Sequence, residues 1–180
     1  MSSSPNFCAF LRGVNVKGTN MKMAEVKSVF EQAGMHSVKT ILASGNLLFY
    51  SECAESELKE KLSLTMSNHF DYEAYLFIKT AAEIKQLCED CPFEPDPTFH
   101  NYGFVGVAEI GKILAAEFDK STHAEGEAGK LIGDNFYWRA PKGDTLVSDF
   151  GKILGRKSLK DAFTSRNINT FYKVLNAFKG

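Results

Sequence analysis

The sequence predicts an α+β protein in which a βαββαβ half is followed by a second α/β half that ends in a helix. Three observations support this fold class. A short apolar run at residues 7–11 has the composition of a central strand buried on both faces. Apolar residues at helical spacing alternate with short β-rich segments as far as residue 79. Three prolines between residues 92 and 97 then interrupt the chain.

The first half has the element order of a ferredoxin-like βαββαβ unit. Ser44-Gly45-Asn46 is predicted to form a tight turn between two of its strands. The first two strands point the same way, so we expect the loop after Arg12 and this turn to share one end of the sheet. The predicted strands are 7–11, 38–43, 47–50 and 74–79, and the predicted helices are 22–33 and 54–69.

The second half is predicted to begin at Pro92, which divides the chain into residues 1–91 and 92–180. Thr80 and Glu83 form a capping box that begins a third helix ahead of this boundary. Ser148 is expected to cap a short helix. The remaining predicted elements are strands at 102–108, 130–132, 135–140 and 145–147, a loop at 119–127, and helices at 112–118, 150–154 and 168–178.

The loop after the first strand holds a cation, an amide and two glycines. Arg12 presents a planar fork of donors suited to carboxylate or phosphate, and Asn15 offers both a donor and an acceptor. Gly13 and Gly18 permit a tight turn or a close approach to a ligand. Taken alone, the same residues also fit a structural role in which Arg12 pairs with a nearby acid and Asn15 ties the loop to itself.

Polar residues also precede the last amphipathic helix. An arginine at a helix N-terminus, here Arg166, favours an anion-binding pocket, although Asn167 is also simply a residue that helix starts prefer. The charge is unevenly distributed: residues 52–127 hold 16 acids and 6 bases, whereas residues 139–180 hold 9 bases and 3 acids. We therefore expect the basic segment to face either an anion or the acidic middle of its own chain.

Composition excludes several classes of protein. No apolar run approaches the roughly 20 residues that span a bilayer, and Met1–Pro5 lacks the features of a signal peptide, so we expect a cytoplasmic protein with no membrane partner. Cys88 and Cys91 have the spacing of metal ligands, but no second pair accompanies them, so no metal site is predicted. No phosphate-binding glycine loop and no catalytic set is recognisable, so no cofactor is predicted and the question of catalysis stays open.

Three segments resemble the DUF1697 family, bacterial proteins of unknown function. The segments are Leu11–Gly18, Ala43–Phe49 and Thr164–Thr170, and their order and spacing match. The resemblance implies a ferredoxin-like first half and a related second half, without an established activity. Family members often have a second glycine just before Gly18, where this chain has Lys17. The family's signature positions fall on Arg12, Gly13, Asn15, Gly18, Ser44, Gly45, Asn46, Arg166 and Asn167.

Polar signature residues in loops indicate binding more than packing. The favoured hypothesis is therefore a site for an anionic small molecule, such as a nucleotide or another phosphorylated metabolite. Arg12, Lys17 and Arg166 would hold the negative charge. The predicted ligand-binding set is Arg12, Asn15, Lys17, Ser44, Asn46, Arg166 and Asn167, with Gly13, Gly18 and Gly45 shaping the loops.

Two alternatives stay open. The chain is a single-stranded nucleic-acid-binding module if Phe10, Phe49 and Tyr50 stand on an open sheet face, although no RNP-like run is present and the isoelectric point of about 6.4 is low. Alternatively, the halves pair or form a homodimer through sheet edges, and Arg12 is a brace between halves.

Overall fold

The computed structural model describes residues 4–14 and 21–180. The chain forms two compact units, Met1–Lys85 with Tyr172–Gly180, and Gln86–Phe171. A four-stranded antiparallel sheet lies at the centre of each unit. The α+β class is therefore confirmed, while the division into domains at residue 92 stays a prediction.

The first sheet has the strand order β2-β3-β1-β4, which is the ferredoxin-like order. Its strands are β1 (Phe7–Arg12), β2 (His36–Ile41), β3 (Asn46–Tyr50) and β4 (Tyr75–Thr80), and its helices are α1 (Met23–Gln32) and α2 (Glu55–Phe70). Phe10 lies opposite Asn46, and Arg12 lies opposite Tyr75. The end of β1 and the turn before β3 therefore lie at the same end of this sheet, as predicted.

Strand β1, one of the two inner strands of the sheet, is buried on both faces. Ala9 and Leu11 pack into a core that α1 and α2 supply, and this core includes the Phe30 and Phe49 rings, whose centroids are 5.7 Å apart. The alternating residues of β1 point to the other face, and Phe10 among them is also fully buried. Because β1 is packed on both faces, the backbone at its end has a fixed position.

Helix α3 (Ala81–Glu89) begins with the predicted capping box. The Thr80 N–H donates to Glu83 Oε2 at 2.8 Å, and the Glu83 N–H donates to Thr80 Oγ1 at 3.3 Å. Lys79 Nζ also donates to Glu83 Oε1 at 2.8 Å. Burial acts to raise the pKa of Glu83, but the hydrogen bonds from Lys79 and Thr80 outweigh it and hold that pKa below its ordinary value of 4.5.

We expect Glu83→Gln to destabilise the protein by about 1 kcal/mol at pH 7. Because folding lowers the pKa of Glu83, its stabilisation is complete above the ordinary value and is lost as the pH falls through the folded value. The stability difference between variant and wild type, measured by urea unfolding, should therefore shrink as the pH falls from neutral through the lowered pKa of Glu83. Glu31→Gln, in an exposed pair with Lys27, is the control and should cost less than about 0.5 kcal/mol. A gap that acid leaves unchanged would contradict the role of this carboxylate.

The second unit repeats the same topology. Its sheet has the order β6-β7-β5-β8, in which β5 takes the place of β1. A short α5 stands at the chain position that α2 holds in the first unit. The elements are β5 (Phe99–Gly106), α4 (Ile110–Asp119), β6 (Ala128–Ile132), β7 (Asn135–Pro141), α5 (Asp149–Leu154), a 3₁₀ turn at Lys157–Leu159, β8 (Phe163–Asn167) and α6 (Ile168–Ala177). The expected related second half is confirmed.

Aromatic side chains fill the core of the second unit. The Phe150 ring lies at its centre, with ring centroids 5.1 Å from Phe118, 5.2 Å from Trp138 and 5.7 Å from Phe136. The predicted cap of α5 is confirmed, because Ser148 Oγ accepts from the Gly151 N–H at 3.0 Å.

Several sequence-based boundaries differ from the structure. Residues 145–147 form turns and not a strand, and Leu146 there is 84% exposed. Thr164–Asn167 belongs to strand β8 and is not a loop, although its last residue, Asn167, does cap the last helix. It is a strand because its backbone pairs with Tyr102–Gly106 of β5. The predicted strand at 102–108 lies at Phe99–Gly106, and Asn46 begins β3 instead of ending the turn.

Candidate functional site

Arg12 is the last residue of β1 and is half-buried. Gly13 follows it with a φ of 79°, so the backbone turns as soon as the strand ends. Val14, the next residue, is buried in the core of the first unit. Three further predicted site residues, Asn15, Lys17 and Gly18, lie outside the described residues.

The turn between β2 and β3 packs directly against the end of β1. The Leu11 N–H donates to Gly45 O at 2.8 Å. Gly45 has a φ of +81°, and a Cβ placed on it would lie 2.6 Å from Val14 Cγ2 and 3.0 Å from Leu11 Cβ. Only glycine fits this approach, and the approach brings the turn that contains Ser44 against the segment that carries Arg12.

Asn46 holds the turn from inside. Its side chain is fully buried, and its Nδ2 donates to Ile41 O at 2.8 Å and to Ser44 Oγ at 2.9 Å. Both bonds connect the end of β2 and the turn to the start of β3, so these contacts give Asn46 a role in shaping the turn. Ser44 is half-buried. Contact of Ser44 or Asn46 with a ligand stays a prediction.

Arg166 lies within β8, opposite Gly103 of β5, and is only 8% exposed. Its Nη1 donates to Thr164 Oγ1 and to Ser165 O, both at 2.8 Å. Helix α6 begins at Ile168, two residues after Arg166, as the sequence predicted, while Arg166 itself belongs to a strand, so an anion-binding pocket at this helix start stays a prediction. A guanidinium in this position is held by strand residues of the second unit.

Asn167, the last residue of β8, connects two elements of the second unit. Its Oδ1 accepts from the Asn169 N–H at the start of α6 at 3.0 Å, and its Nδ2 lies 3.1 Å from His100 Nδ1 on β5. His100 was absent from the residues that the sequence indicated, because a lone histidine has no motif. If Thr164–Asn167 had been predicted as a strand beside β5, the β5 residues next to it, including His100, would have been candidate site residues.

The basic C-terminal segment pairs in part with the acidic middle of the chain. Arg139 forms an ion pair with Asp96 at 3.0 Å, and Arg156 with Glu117 at 3.0 Å. A groove of about 340 Å³ near Arg156 is lined by Lys120, Ser121, Thr122, Asp149, Lys152, Ile153 and Arg156. Its three cations each lie within 4 Å of a carboxylate, so the groove offers an anion little uncompensated positive charge.

Cys88 and Cys91 are free thiols in surroundings that disfavour thiol chemistry. Cys88 is buried at the end of α3, and Cys91 is half-buried. Burial raises the pKa of Cys88 to about 11, and the negative charges of Cys91 and Glu89 add to that effect. A thiol reacts as its thiolate, so these surroundings disfavour reaction. Across residues 4–14 and 21–180, no group of three or more His, Cys, Asp or Glu side chains is placed to hold a metal ion.

The aromatic residues that the nucleic-acid alternative requires are not on an open face. Phe10 and Phe49 are fully buried. Tyr50 is half-buried, and its hydroxyl donates to Glu52 Oε1 at 3.3 Å. The expectation that Phe10 and Phe49 stack on bases is therefore wrong, because both serve as core residues. Among the helices that the structure describes, none has the length and apolar character to cross a membrane.

Comparison with known proteins places the chain in a family. The structure of conserved bacterial protein SP0830 from Streptococcus pneumoniae superposes with a TM-score of 0.76 at 20% identity, covering 98% of this chain and 99% of that chain. At this identity the likeness shows a shared fold alone. No curated protein matches the sequence. Residues 5–137 match the family of proteins of unknown function DUF1697, and the chain belongs to that family.

Proposed function

We propose that the end of β1 in the first unit binds a small molecule that carries a phosphate or carboxylate group. The supporting observation is the convergence of the Arg12–Gly13 segment with the β2–β3 turn, held by the bond from the Leu11 N–H to Gly45 O at 2.8 Å. The Arg12 guanidinium supplies the paired donors that these anionic groups accept. Ser44, on the adjoining turn, supplies a hydroxyl.

A rigid support is what a small anion site needs. β1 is one of the two inner strands of its sheet and is buried on both faces, so the backbone at Arg12 is positioned before a ligand arrives. Gly45 adds a second constraint, because its close contact with Leu11 and Val14 fixes the turn. Binding then costs less conformational entropy than it would on an unsupported loop.

Asn15 and Lys17 follow Arg12 in the sequence and remain predicted members of this site. Arg166 and Asn167 remain predicted ligand residues of the second unit. A small ligand is favoured over single-stranded nucleic acid because the two aromatic rings that would stack on bases, Phe10 and Phe49, are buried. Phosphate and carboxylate share the chemistry that an arginine recognises, and the experiment distinguishes them.

The test is a thermal-shift screen of wild type, Arg12→Gln and Arg156→Gln against inorganic phosphate, nucleoside monophosphates, sugar phosphates and dicarboxylates. A ligand at 100 times its dissociation constant should stabilise the wild type by about 2.7 kcal/mol. We expect Arg12→Gln to lose this stabilisation. Arg156→Gln is the matched control and should keep it, because Arg156 is an exposed arginine paired with Glu117 in the second unit.

Two results would contradict the proposal. The first is a shift that persists in Arg12→Gln. The second is the absence of any shift together with a large fall in the melting temperature of unliganded Arg12→Gln, which would make Arg12 a structural brace. The second result distinguishes the binding and structural interpretations of the same arginine.

A further inference from the structure

A groove of about 230 Å³ lies in the first unit, at the end of the sheet where β1 and β2 begin. Both strands pair antiparallel with β3, so their first residues share this end. Arg12 lies at the other end of β1, which spans about 17 Å. Six side chains line the groove, together with the backbone of Gly180: Ser4, Pro5, Ser37, Lys39, Phe178 and Lys179.

Hydrogen bonds hold two of the segments that line this groove. Asn6 Nδ2 donates to Ser51 O at 2.8 Å, and the Ser51 N–H donates to Asn6 Oδ1 at 3.0 Å. These two bonds connect the segment that precedes β1 to the residue that follows β3. At the end of α6, the Lys179 N–H donates to Asn176 O at 3.1 Å and closes the last turn. The lining segments are therefore held in place by the fold itself.

Ser37 has a backbone conformation that serine seldom adopts. Its φ is +52°, in the left-handed region, and the register between β2 and β3 shifts between His36 and Lys39. A bulge of this kind redirects the side chains of a strand, and costly backbone conformations concentrate at functional sites. Ser37 is half-buried and lines the groove, so the strained residue is part of the groove wall.

The positive charge of this groove is uncompensated. Among the described residues, no carboxylate lies within 4 Å of the ammonium group of Lys39 or Lys179. The groove near Arg156 differs, because each of its cations lies beside an acid. Both lysines are exposed, however, and exposed charges alone hold an anion weakly. A ligand therefore also needs an apolar body, which can lie against the half-buried Pro5 and Phe178.

We propose that this groove binds a small carboxylate with an apolar body, such as a short fatty acid or an aromatic acid. The two carboxylate oxygens accept from the ammonium groups of Lys39 and Lys179, and Ser37 supplies a hydroxyl. The carbon body lies against Pro5 and Phe178. A volume of about 230 Å³ has room for roughly eight water-sized groups of about 30 Å³ each, which matches the size of hexanoate.

The test is amide NMR of the ¹⁵N-labelled full chain, titrated with hexanoate and with benzoate at neutral pH and constant ionic strength. The amides of Ser37, Lys39 and Lys179 should shift together to saturation. Neutral hexanol lacks the charge and inorganic phosphate lacks the apolar body, so neither should saturate these amides. Arg12→Gln should leave the response unchanged, which separates this site from the one proposed at the end of β1.

Two variants remove groups that would hold the carboxylate. Lys39→Gln removes one ammonium group, and affinity for hexanoate should fall about threefold. Ser37→Gly removes the hydroxyl but suits the left-handed backbone, so the fold is kept while affinity falls. Lys27, an exposed lysine of the same unit, pairs with Glu31, and Lys27→Gln is the matched control that should bind as wild type does. The proposal is overturned if neither carboxylate saturates, if hexanol binds as tightly as hexanoate, or if either groove variant keeps the wild-type affinity.

Discussion

Gly45→Ala is expected to destabilise the protein by about 3 kcal/mol, a large share of the 5–15 kcal/mol that typically stabilises a folded domain. Two costs combine. A left-handed conformation costs a non-glycine residue about 1–2 kcal/mol, and Gly45 has a φ of +81°. A methyl group there would also lie 2.6 Å from Val14 Cγ2, and overpacking of this kind costs about 1–3 kcal/mol. The expected fall in melting temperature is about 6–12 °C.

Gly34→Ala separates these two costs. Gly34 has a φ of +88°, but the nearest described atom to a methyl group placed on it is the flexible Lys61 Nζ at 3.7 Å. The control therefore keeps the backbone strain and lacks the collision, and should cost about 1 kcal/mol. Equal losses for the two variants would mean that the β2–β3 turn does not pack against β1 as described.

Asn46→Asp is expected to destabilise the protein by about 3 kcal/mol or more, and Asn46→Ala by about 2 kcal/mol. The aspartate matches the asparagine in size, but it turns an oxygen toward Ile41 O, to which Nδ2 now donates at 2.8 Å. Asn46 is fully buried, so the new charge would also lose its hydration. The alanine removes the donor and leaves the Ile41 carbonyl without that partner.

Ser44→Ala is the control for this pair. Ser44 Oγ accepts from Asn46 Nδ2 at 2.9 Å, but the serine is only half-buried, so water can replace the hydroxyl. Ser44→Ala should therefore destabilise the protein by only about 0.5 kcal/mol. Urea unfolding of the three variants measures their free energies of unfolding and so their order of stability. An Asn46→Asp variant as stable as wild type would contradict the inward orientation of the Asn46 amide.

Elements with a clear apolar period were predictable from the sequence. The buried run of β1 and the Thr80–Glu83 capping box both depend on local chemistry, and the structure confirms both. The topology of the first unit followed from the order of such elements. These elements are enough to place Arg12 beside the β2–β3 turn.

Secondary structure was predicted wrongly where the tertiary environment of a segment overrides its local preference. Thr164–Asn167 has the composition of a helix cap, yet pairing with β5 makes it a strand. Residues 145–147 have a β-like composition, but they form turns, and Val147 is 62% exposed. Local composition does not reveal which backbone has a neighbouring strand. For the same reason the sequence did not indicate His100, because its contact with Asn167 joins residues that are 67 positions apart.

Binding of an anion at the end of β1 is tested most directly by amide NMR of ¹⁵N-labelled protein titrated with inorganic phosphate. The amides of Gly13, Ser44 and Gly45 should shift most among the residues of the first unit, should saturate together, and should stop responding in Arg12→Gln. A response confined to the second unit, for example at His100, or no saturable response at these three amides would contradict it.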